Sequence, residues 1–376
     1  MPMNSVLPEV TWSTWDDYDW LQTPRVASSD VSASPAATAA AEVSIGASAR
    51  SQKKLHRKGL RAPQSSQLWF EEVQERIDGE KFAHEHCVYR CNPLRCLHDT
   101  TSSGTASVIP WETLPAGIHP RDGKLPPERI RKKRHQVENL AVFLQRMLQP
   151  GDRVVEFCAG SGYVALPLAS MFPECTFVVL DKKEPSLAIA EERIAAAELT
   201  NVEIFCGFID DYDKVFDVGI ALHACGEATD MVMAKCLASR ASFVLAPCCV
   251  GKIKLSALEY PRSATLRAHL KRNEYEVLAR AADFGHTNDA AMSLTPVNIR
   301  RRRCKSLLES DRNALARESG YETFMFVMHP HDATPKNDVL VGLPLPSNGE
   351  EKRTLRLECM RQLCTAESER VIFGKA

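Results

Sequence analysis

A strand, a glycine turn and a helix follow one another in residues 154–165, Val-Val-Glu-Phe-Cys-Ala-Gly-Ser-Gly-Tyr-Val-Ala. The strand carries Glu156, and a second apolar strand over residues 176–180 is followed by Asp181. A unit of this kind directs free backbone N–H groups and the positive end of a helix toward a ligand. An acidic residue that closes the next strand can accept hydrogen bonds from a ribose diol. The segment therefore predicts a nucleoside site in a parallel α/β sheet.

The glycine turn differs from two familiar nucleotide-binding loops. Ala165 stands where a dinucleotide fingerprint has its third glycine, and the chain has no Gly-Lys-Ser/Thr loop, which argues against an NTPase. The Glu-x-x-x-Gly-x-Gly form with a downstream acid is typical of class I S-adenosylmethionine-dependent methyltransferases. We therefore expect S-adenosyl-L-methionine as cofactor; the alternative is a loop–helix junction that binds nothing. The predicted cofactor-binding residues are Glu156, Ala159, Gly160, Gly162, Asp181, Lys182, Phe208, Ile209 and Leu222.

Strands and helices are predicted to alternate from residue 129 onward. This order indicates a doubly wound α/β sheet with right-handed crossovers and a ligand beyond the carboxyl ends of its strands. The predicted strands are 153–158, 176–180, 202–206, 217–222 and 242–246, followed by 321–328 and 339–343 as an antiparallel hairpin. The predicted helices are 129–148, 163–172, 185–198, 227–238, 257–272 and 312–319. We thus predict the class I methyltransferase fold, a mostly parallel seven-stranded sheet with a C-terminal antiparallel hairpin.

Composition points to a soluble globular protein, with a net charge of −1 and 25% charged residues. The N-terminus has no basic start or apolar core, and no apolar run reaches the ~18 residues that span a bilayer. We therefore expect an intracellular, cytoplasmic protein whose 13 cysteines are reduced. The expected domains are a disordered tail over 1–66, a small segment and connector over 67–128, the methyltransferase domain over 129–346, and a C-terminal tail over 347–376.

Two N-terminal features leave alternatives open. A tryptophan patch (Trp12, Trp15 and Trp20) among acidic residues is either a partner-binding motif that folds on contact or a solvated tail. A second cluster offers either structural zinc ligands or partly buried thiols. It consists of His84, His86, Cys87, Cys91, Cys96 and His98.

The most distinctive sequence motifs follow the fourth and fifth predicted strands. The fourth leads into His223-Ala224-Cys225-Gly226, and the fifth into Pro247-Cys248-Cys249-Val250-Gly251. With Thr334–Gly342 and flanking motifs, they resemble the methyltransferase domain of the glutathione S-transferase C-terminal domain-containing protein family, over about residues 125–345. The resemblance implies a class I fold and S-adenosylmethionine. The family's namesake domain has no counterpart in residues 1–124, so glutathione chemistry is not implied. More loosely, the two motifs resemble a group that includes a tRNA 2′-O-methyltransferase.

The predicted catalytic residues are His223, Cys225, Cys248 and Cys249, all just past neighbouring strand ends. His223 is either a general base or an orienting residue. The cysteines either attack a pyrimidine ring, pack as small apolar groups, or hold a metal together with His223. Because the carboxyl ends of neighbouring strands lie side by side, we expect these residues to line one pocket.

After the third strand, Phe208 and Ile209 stand where class I enzymes often place an acid or amide for adenine. Adenine is therefore expected to rely on apolar packing and backbone N–H groups, or on Asp210 or Asp211.

Two basic runs, Arg129–Arg134 and Arg300–Lys305, flank the predicted domain. If both face one rim, they form a phosphate-binding track that favours RNA as substrate; otherwise they are two solvated faces. The other hypotheses are a catalytically silent binding or scaffold protein and a methyltransferase acting on a protein or small molecule.

Overall fold

One mixed sheet organises the computed structural model, which describes residues 9–10, 72–73, 89–95, 107–250, 253, 256–282, 296–330, 333–334 and 336–364. Its strands are β1 (Glu9–Val10), β2 (Tyr89–Cys91), β3 (Arg153–Phe157), β4 (Thr176–Asp181), β5 (Val202–Cys206), β6 (Val218–Leu222), β7 (Ser242–Ala246), β8 (Tyr321–Val327) and β9 (Asp338–Pro344). The helices are α1 (Pro127–Met147), α2 (Ala165–Met171), α3 (Glu184–Ala196), α4 (Ala228–Ala238), α5 (Ala264–Arg267), α6 (Arg272–Ala282), α7 (Pro296–Glu318) and α8 (Glu351–Cys364).

The strand order is β1-β2-β8-β9-β7-β6-β3-β4-β5. Strands β7, β6, β3, β4 and β5 are mutually parallel, whereas β9 runs antiparallel to both β7 and β8. The order reverses between β3 and β6, which is where an open α/β sheet binds its ligand. The predicted fold is therefore confirmed, including the reversed hairpin. Strands β1 and β2 extend the sheet beyond the seven predicted strands.

The core lies on both faces of the sheet. Strands β6, β7 and β9 are buried along their whole length, as expected for strands covered by helices on two sides. A second apolar cluster joins α5, α6 and α7 through residues such as Tyr260, Leu266, Tyr275, Leu278 and Leu308.

The prediction of one helix over 257–272 was wrong. The chain turns at Pro261, and Ser263 caps the short α5 by accepting a hydrogen bond from the Leu266 N–H at 3.0 Å. A separate α6 then begins at Arg272. The helix predicted at 312–319 is the end of α7, which begins at Pro296. The run of arginines in the first half of α7 hides the apolar periodicity by which a helix is predicted, so its start at Pro296 was not predicted.

The predicted C-terminal tail is also corrected, because residues 351–364 form α8. Leu357 and Met360 of α8 lie in the main core. The buried Arg356 guanidinium lies 2.5 Å from the Asp152 carboxylate and donates to the Met147 carbonyl at 3.0 Å. The helix therefore belongs to the folded domain.

The structure describes only some of the N-terminal residues for which predictions were made. Glu9–Val10 pairs with Tyr89–Arg90, so this point of the expected disordered tail is ordered; the tryptophan patch lies outside the described residues. Of the predicted cysteine and histidine cluster, only the Cys91 backbone is described. In the connector, Trp111 is buried and donates to Glu138 Oε1 at 2.5 Å. Among the described helices, none is long and apolar enough to span a bilayer.

Candidate functional site

The glycine turn between β3 and α2 is held by Glu156. Cys158, Gly160 and Gly162 adopt positive φ angles of 54°, 59° and 74°, which let the chain reverse before α2. The Glu156 carboxylate is buried and accepts the N–H groups of Val164 and Ala165 at 3.3 and 2.7 Å. Burial raises the pKa of Glu156 to about 7. Glu156 thus acts on the turn itself rather than on a ligand.

Asp181 joins the end of β4 to the same turn. Its Oδ2 accepts the Gly160 N–H at 2.8 Å, and its Oδ1 accepts the Lys183 N–H at 3.0 Å. An ionised carboxylate has about four lone-pair positions. Two acceptor positions of Asp181 therefore remain for hydroxyl groups of a ligand.

Space for a ligand lies beside Gly160. A Cβ built at Gly160 would meet no atom within 4 Å, whereas one at Gly162 would lie 3.0 Å from Leu166 Cγ. The two glycines therefore have different roles, since Gly160 faces open space and Gly162 permits close packing of α2. The open space beside Gly160 leaves room for a ligand at the turn that Asp181 holds.

An exposed aromatic ring stands at the exit of β5. Phe208 is 60% exposed, and the Lys182 ammonium lies 5.6 Å from the centre of its ring. The Asp211 carboxylate accepts the Phe208 N–H at 2.9 Å, while Asp210 is exposed. The other predicted cofactor residues Ala159, Ile209 and Leu222 are buried.

His223 is held in a strained backbone conformation with a φ of 68°. Gln136 Nε2 donates to the Ala333 carbonyl at 2.8 Å, so its Oε1 is left as the acceptor for His223 Nε2 at 2.9 Å. Burial, followed by the charge of Lys133, lowers the pKa of His223 to about 3. A neutral ring of such low basicity is poorly matched to general-base catalysis near neutral pH. The geometry therefore favours the orienting role over the base.

Three predicted cysteines meet where β6 and β7 end. The Sγ atoms of Cys225 and Cys248 are 3.0 Å apart, and all three Sγ atoms, with Cys249, lie within 4.8 Å of one another. The Gly226 N–H donates to the Cys249 carbonyl at 3.0 Å, which ties the two loops together. Hydrogen bonds from the Cys225 and Cys248 thiols lower the pKa of Cys249. The expected juxtaposition of these loops is thus observed, and His223 is outside the sulfur cluster.

Lys133 was missed as a site residue. It belongs to the first basic run, yet its side chain is half-buried with Nζ 5.1 Å from the centre of the Tyr163 ring. Burial lowers its pKa to about 8, and Glu156 and Cys248 lie within electrostatic range. The spacing of three residues between Lys133 and Gln136 could have predicted this position, because it places both side chains on one face of α1.

Backbone carbonyls of the connector that precedes α1 lie beside the glycine turn. The buried Arg193 guanidinium donates to the carbonyls of Gly117 and Ile118, both at 2.7 Å, and to the Ser161 carbonyl. The Tyr163 hydroxyl donates to the Gly123 carbonyl at 2.7 Å. All these acceptors are backbone carbonyls, which every residue has, so the pairings cannot be predicted from residue types.

The two basic runs have different environments. Arg129 and Arg131 are exposed on α1. Arg302 is buried with Asn337 Oδ1 as acceptor at 3.0 Å, and Lys305 is buried between Glu309 and Asp338. The Arg300 side chain lies outside the described residues. Arg302 and Lys305 are therefore bonded inside the fold, whereas Arg301 of the same run is exposed.

Comparisons with known proteins find several chains that are similar to this one. A family profile described as a methyltransferase domain matches residues 132–256. The glutathione S-transferase C-terminal domain-containing protein of Bos taurus is 36% identical over 239 residues, which are 63% of this chain and 37% of that relative's length. The ribosomal RNA small subunit methyltransferase G of Cytophaga hutchinsonii is 28% identical over 79 residues, covering 21% of this chain and 38% of that protein. A solved structure, P. horikoshii TYW2 in complex with MeSAdo, aligns at a TM-score of 0.33 and 11% identity, covering 58% of this chain and 62% of that chain.

Proposed function

We propose that this chain, whose residues 132–256 match a methyltransferase-domain profile, is an S-adenosylmethionine-dependent methyltransferase that acts on RNA. One observation supports S-adenosylmethionine as the cofactor. Asp181, at the end of β4, accepts the Gly160 N–H beside open space. This is the arrangement that a ribose and its attached chain require at the switch point of an open α/β sheet.

The chain's residues fit the parts of the cofactor. The free acceptor positions of Asp181 suit the ribose hydroxyls, and the backbone around Gly160 suits the polar chain next to the ribose. Phe208 offers an exposed apolar face for the adenine ring. When bound, the cofactor supplies a methyl group on a positively charged sulfur, so the transfer itself needs no acid on the leaving group.

The protein's task is then to position the acceptor and exclude water. The hydrogen bond from His223 to Gln136 fixes the imidazole ring at the exit of β6. Lys133, with a pKa of about 8, is better matched than His223 to take a proton from a hydroxyl or amine acceptor. Lys133 therefore replaces His223 as the candidate base.

RNA is favoured by the exposed part of the first basic run. Arg129 and Arg131 lie on the same helix, α1, as Lys133 and Gln136. Cations on the helix that also reaches the site can hold a phosphate backbone while a nucleotide enters. The similarity to a protein named as a ribosomal RNA methyltransferase supports the same substrate class.

The proposal is tested by calorimetry and by methyl transfer on the full chain. Wild-type protein should bind S-adenosylmethionine and transfer a labelled methyl group to RNA. Asp181→Asn should weaken cofactor binding by about 1–3 kcal/mol, because it loses a charged acceptor. The matched control Asp210→Asn, an exposed acid near the site, should bind as wild type does.

Two results would count against the proposal. If wild-type protein shows no binding at millimolar cofactor, the silent-scaffold hypothesis replaces it. If the cofactor binds but the label enters protein or a small molecule instead of RNA, the chain is a methyltransferase and the proposal of RNA as its substrate is wrong.

A further inference from the structure

The sulfur cluster of Cys225, Cys248 and Cys249 has the composition of a soft-metal site. Three sulfurs from two separate loops approach within 4.8 Å of one another, and the Cys225–Cys248 pair, at 3.0 Å, is not joined by a disulfide. Zinc binds cysteine sulfur at about 2.3 Å in tetrahedral geometry, which separates neighbouring sulfurs by about 3.8 Å. Displacements of roughly 1 Å or less would bring the three atoms to that spacing.

The backbone presents these sulfurs before any ion binds. Leu222 at the end of β6 is in register with Ala246 at the end of β7, so both loops leave the sheet side by side. The His223 N–H donates to the Ala246 carbonyl at 3.0 Å, and the Gly226 N–H closes onto Cys249 as described above. The ligand-bearing loops are therefore fixed to each other on both sides of Cys225.

Access and charge both suit a cation bound by thiolates. Cys225 is exposed, while Cys248 and Cys249 are half-buried, so an ion can enter from solvent. Three thiolates around a divalent ion carry a net charge of −1. The Lys336 ammonium lies within electrostatic range of Cys225 and Cys249. This cation can compensate the excess negative charge.

We propose that Cys225, Cys248 and Cys249 bind one zinc ion through three thiolates. Within the part of the chain that the structure describes, no further cysteine, histidine or carboxylate belongs to this group. Three protein ligands leave the fourth coordination position to water or an exogenous donor, as in open zinc sites. The site does not depend on the cofactor, and metal content can be measured without any assay of methyl transfer.

The test is metal analysis of full-length protein purified under reducing conditions with zinc and without chelator. Cys225→Ser and Cys249→Ser should each lower the content by about one zinc per chain relative to wild type. Cys359→Ser, a half-buried thiol on α8, is the matched control and should keep the wild-type content. Using the difference from wild type removes any zinc held elsewhere, including by the N-terminal cysteines.

A second measurement uses only wild-type protein, in case the variants do not fold. Alkylation followed by mass spectrometry should label Cys225 and Cys249 much faster after chelation than before it. The exposed Cys206 should react equally in both states. Unchanged zinc content in folded variants, or equal labelling of Cys225 before and after chelation, would overturn the site. A Cys225–Cys248 disulfide in the reduced preparation would overturn it as well.

Discussion

At the scale of single residues, the environment of a side chain decides its chemistry more than its type does. Glu156 and Asp181 are both acids beside one glycine turn. The Glu156 carboxylate accepts hydrogen bonds from the N–H groups at the start of α2, whereas the Asp181 carboxylate keeps free acceptor positions. His223 and Lys133 show the same contrast among bases, because burial lowers the pKa of His223 to about 3 and that of Lys133 to about 8. Of these two, Lys133 titrates closer to neutral pH.

A pH-dependent stability follows for Lys133. Its pKa is 10.5 when unperturbed and about 8 in the folded chain, so the unfolded chain binds more protons between these values. The contribution of Lys133 to the free energy of unfolding should therefore rise with pH through this window and be lowest below about 8. Urea unfolding across the window should show a smaller rise in Lys133→Met than in wild type. Lys132→Met serves as the neighbouring control, and identical pH slopes in wild type and Lys133→Met would show that Lys133 is not desolvated.

At the scale of elements, α8 is joined to the sheet by charge as well as by apolar packing. Asp152 precedes β3 and is fully buried, and Arg356 of α8 lies against it. The exposed Lys352 is a more distant second cation, at 3.6 Å. A buried carboxylate without its partner is costly, so α8 should contribute strongly to the stability of the domain.

Arg356→Met should lower the free energy of unfolding by about 3–5 kcal/mol, because Asp152 is left buried with its main partner removed. The double variant Arg356→Met/Asp152→Asn should recover part of that loss, since it removes the unpaired charge. Arg353→Met, on a more exposed position of α8, is the control and should change the free energy of unfolding by about 1 kcal/mol or less. A loss below about 1 kcal/mol in Arg356→Met would mean that α8 is not held by this pair.

At the scale of the whole molecule, two similar basic runs have different environments. The run on α1 keeps exposed arginines near the proposed site. The run on α7 sends Arg302 and Lys305 inward, toward Asn337 and Asp338 at the start of β9. Recognition of a polyanion and cohesion of the fold should therefore respond separately to mutation.

Substitutions in the two runs should separate these effects. Arg129→Gln and Arg131→Gln should each reduce the slope of log K against log salt for RNA binding by about 1, with little change in stability. Lys305→Met should instead lower the free energy of unfolding by about 3–5 kcal/mol, because Asp338 loses the buried ammonium that it contacts, whereas Glu309 retains Arg312. Filter binding over a salt series and urea unfolding measure the two quantities. An unchanged salt slope in the double variant Arg129→Gln/Arg131→Gln would remove α1 from the RNA interface.

The sequence by itself determined the elements whose signal is local. Apolar strands, the glycine turn and the closing Asp181 are predicted from neighbouring residues, and the alternation of strands with helices predicts a mostly parallel sheet. The meeting of Cys225 with Cys248 was also predictable, because neighbouring parallel strands end side by side. Only the tertiary structure decided which charged side chains turn inward. Lys133, Arg193, Arg302 and Arg356 have acceptors or packing partners far away in the chain, and local sequence carries no record of such pairings. These side chains turn inward because contacts that form only in the folded chain offset the cost of their desolvation.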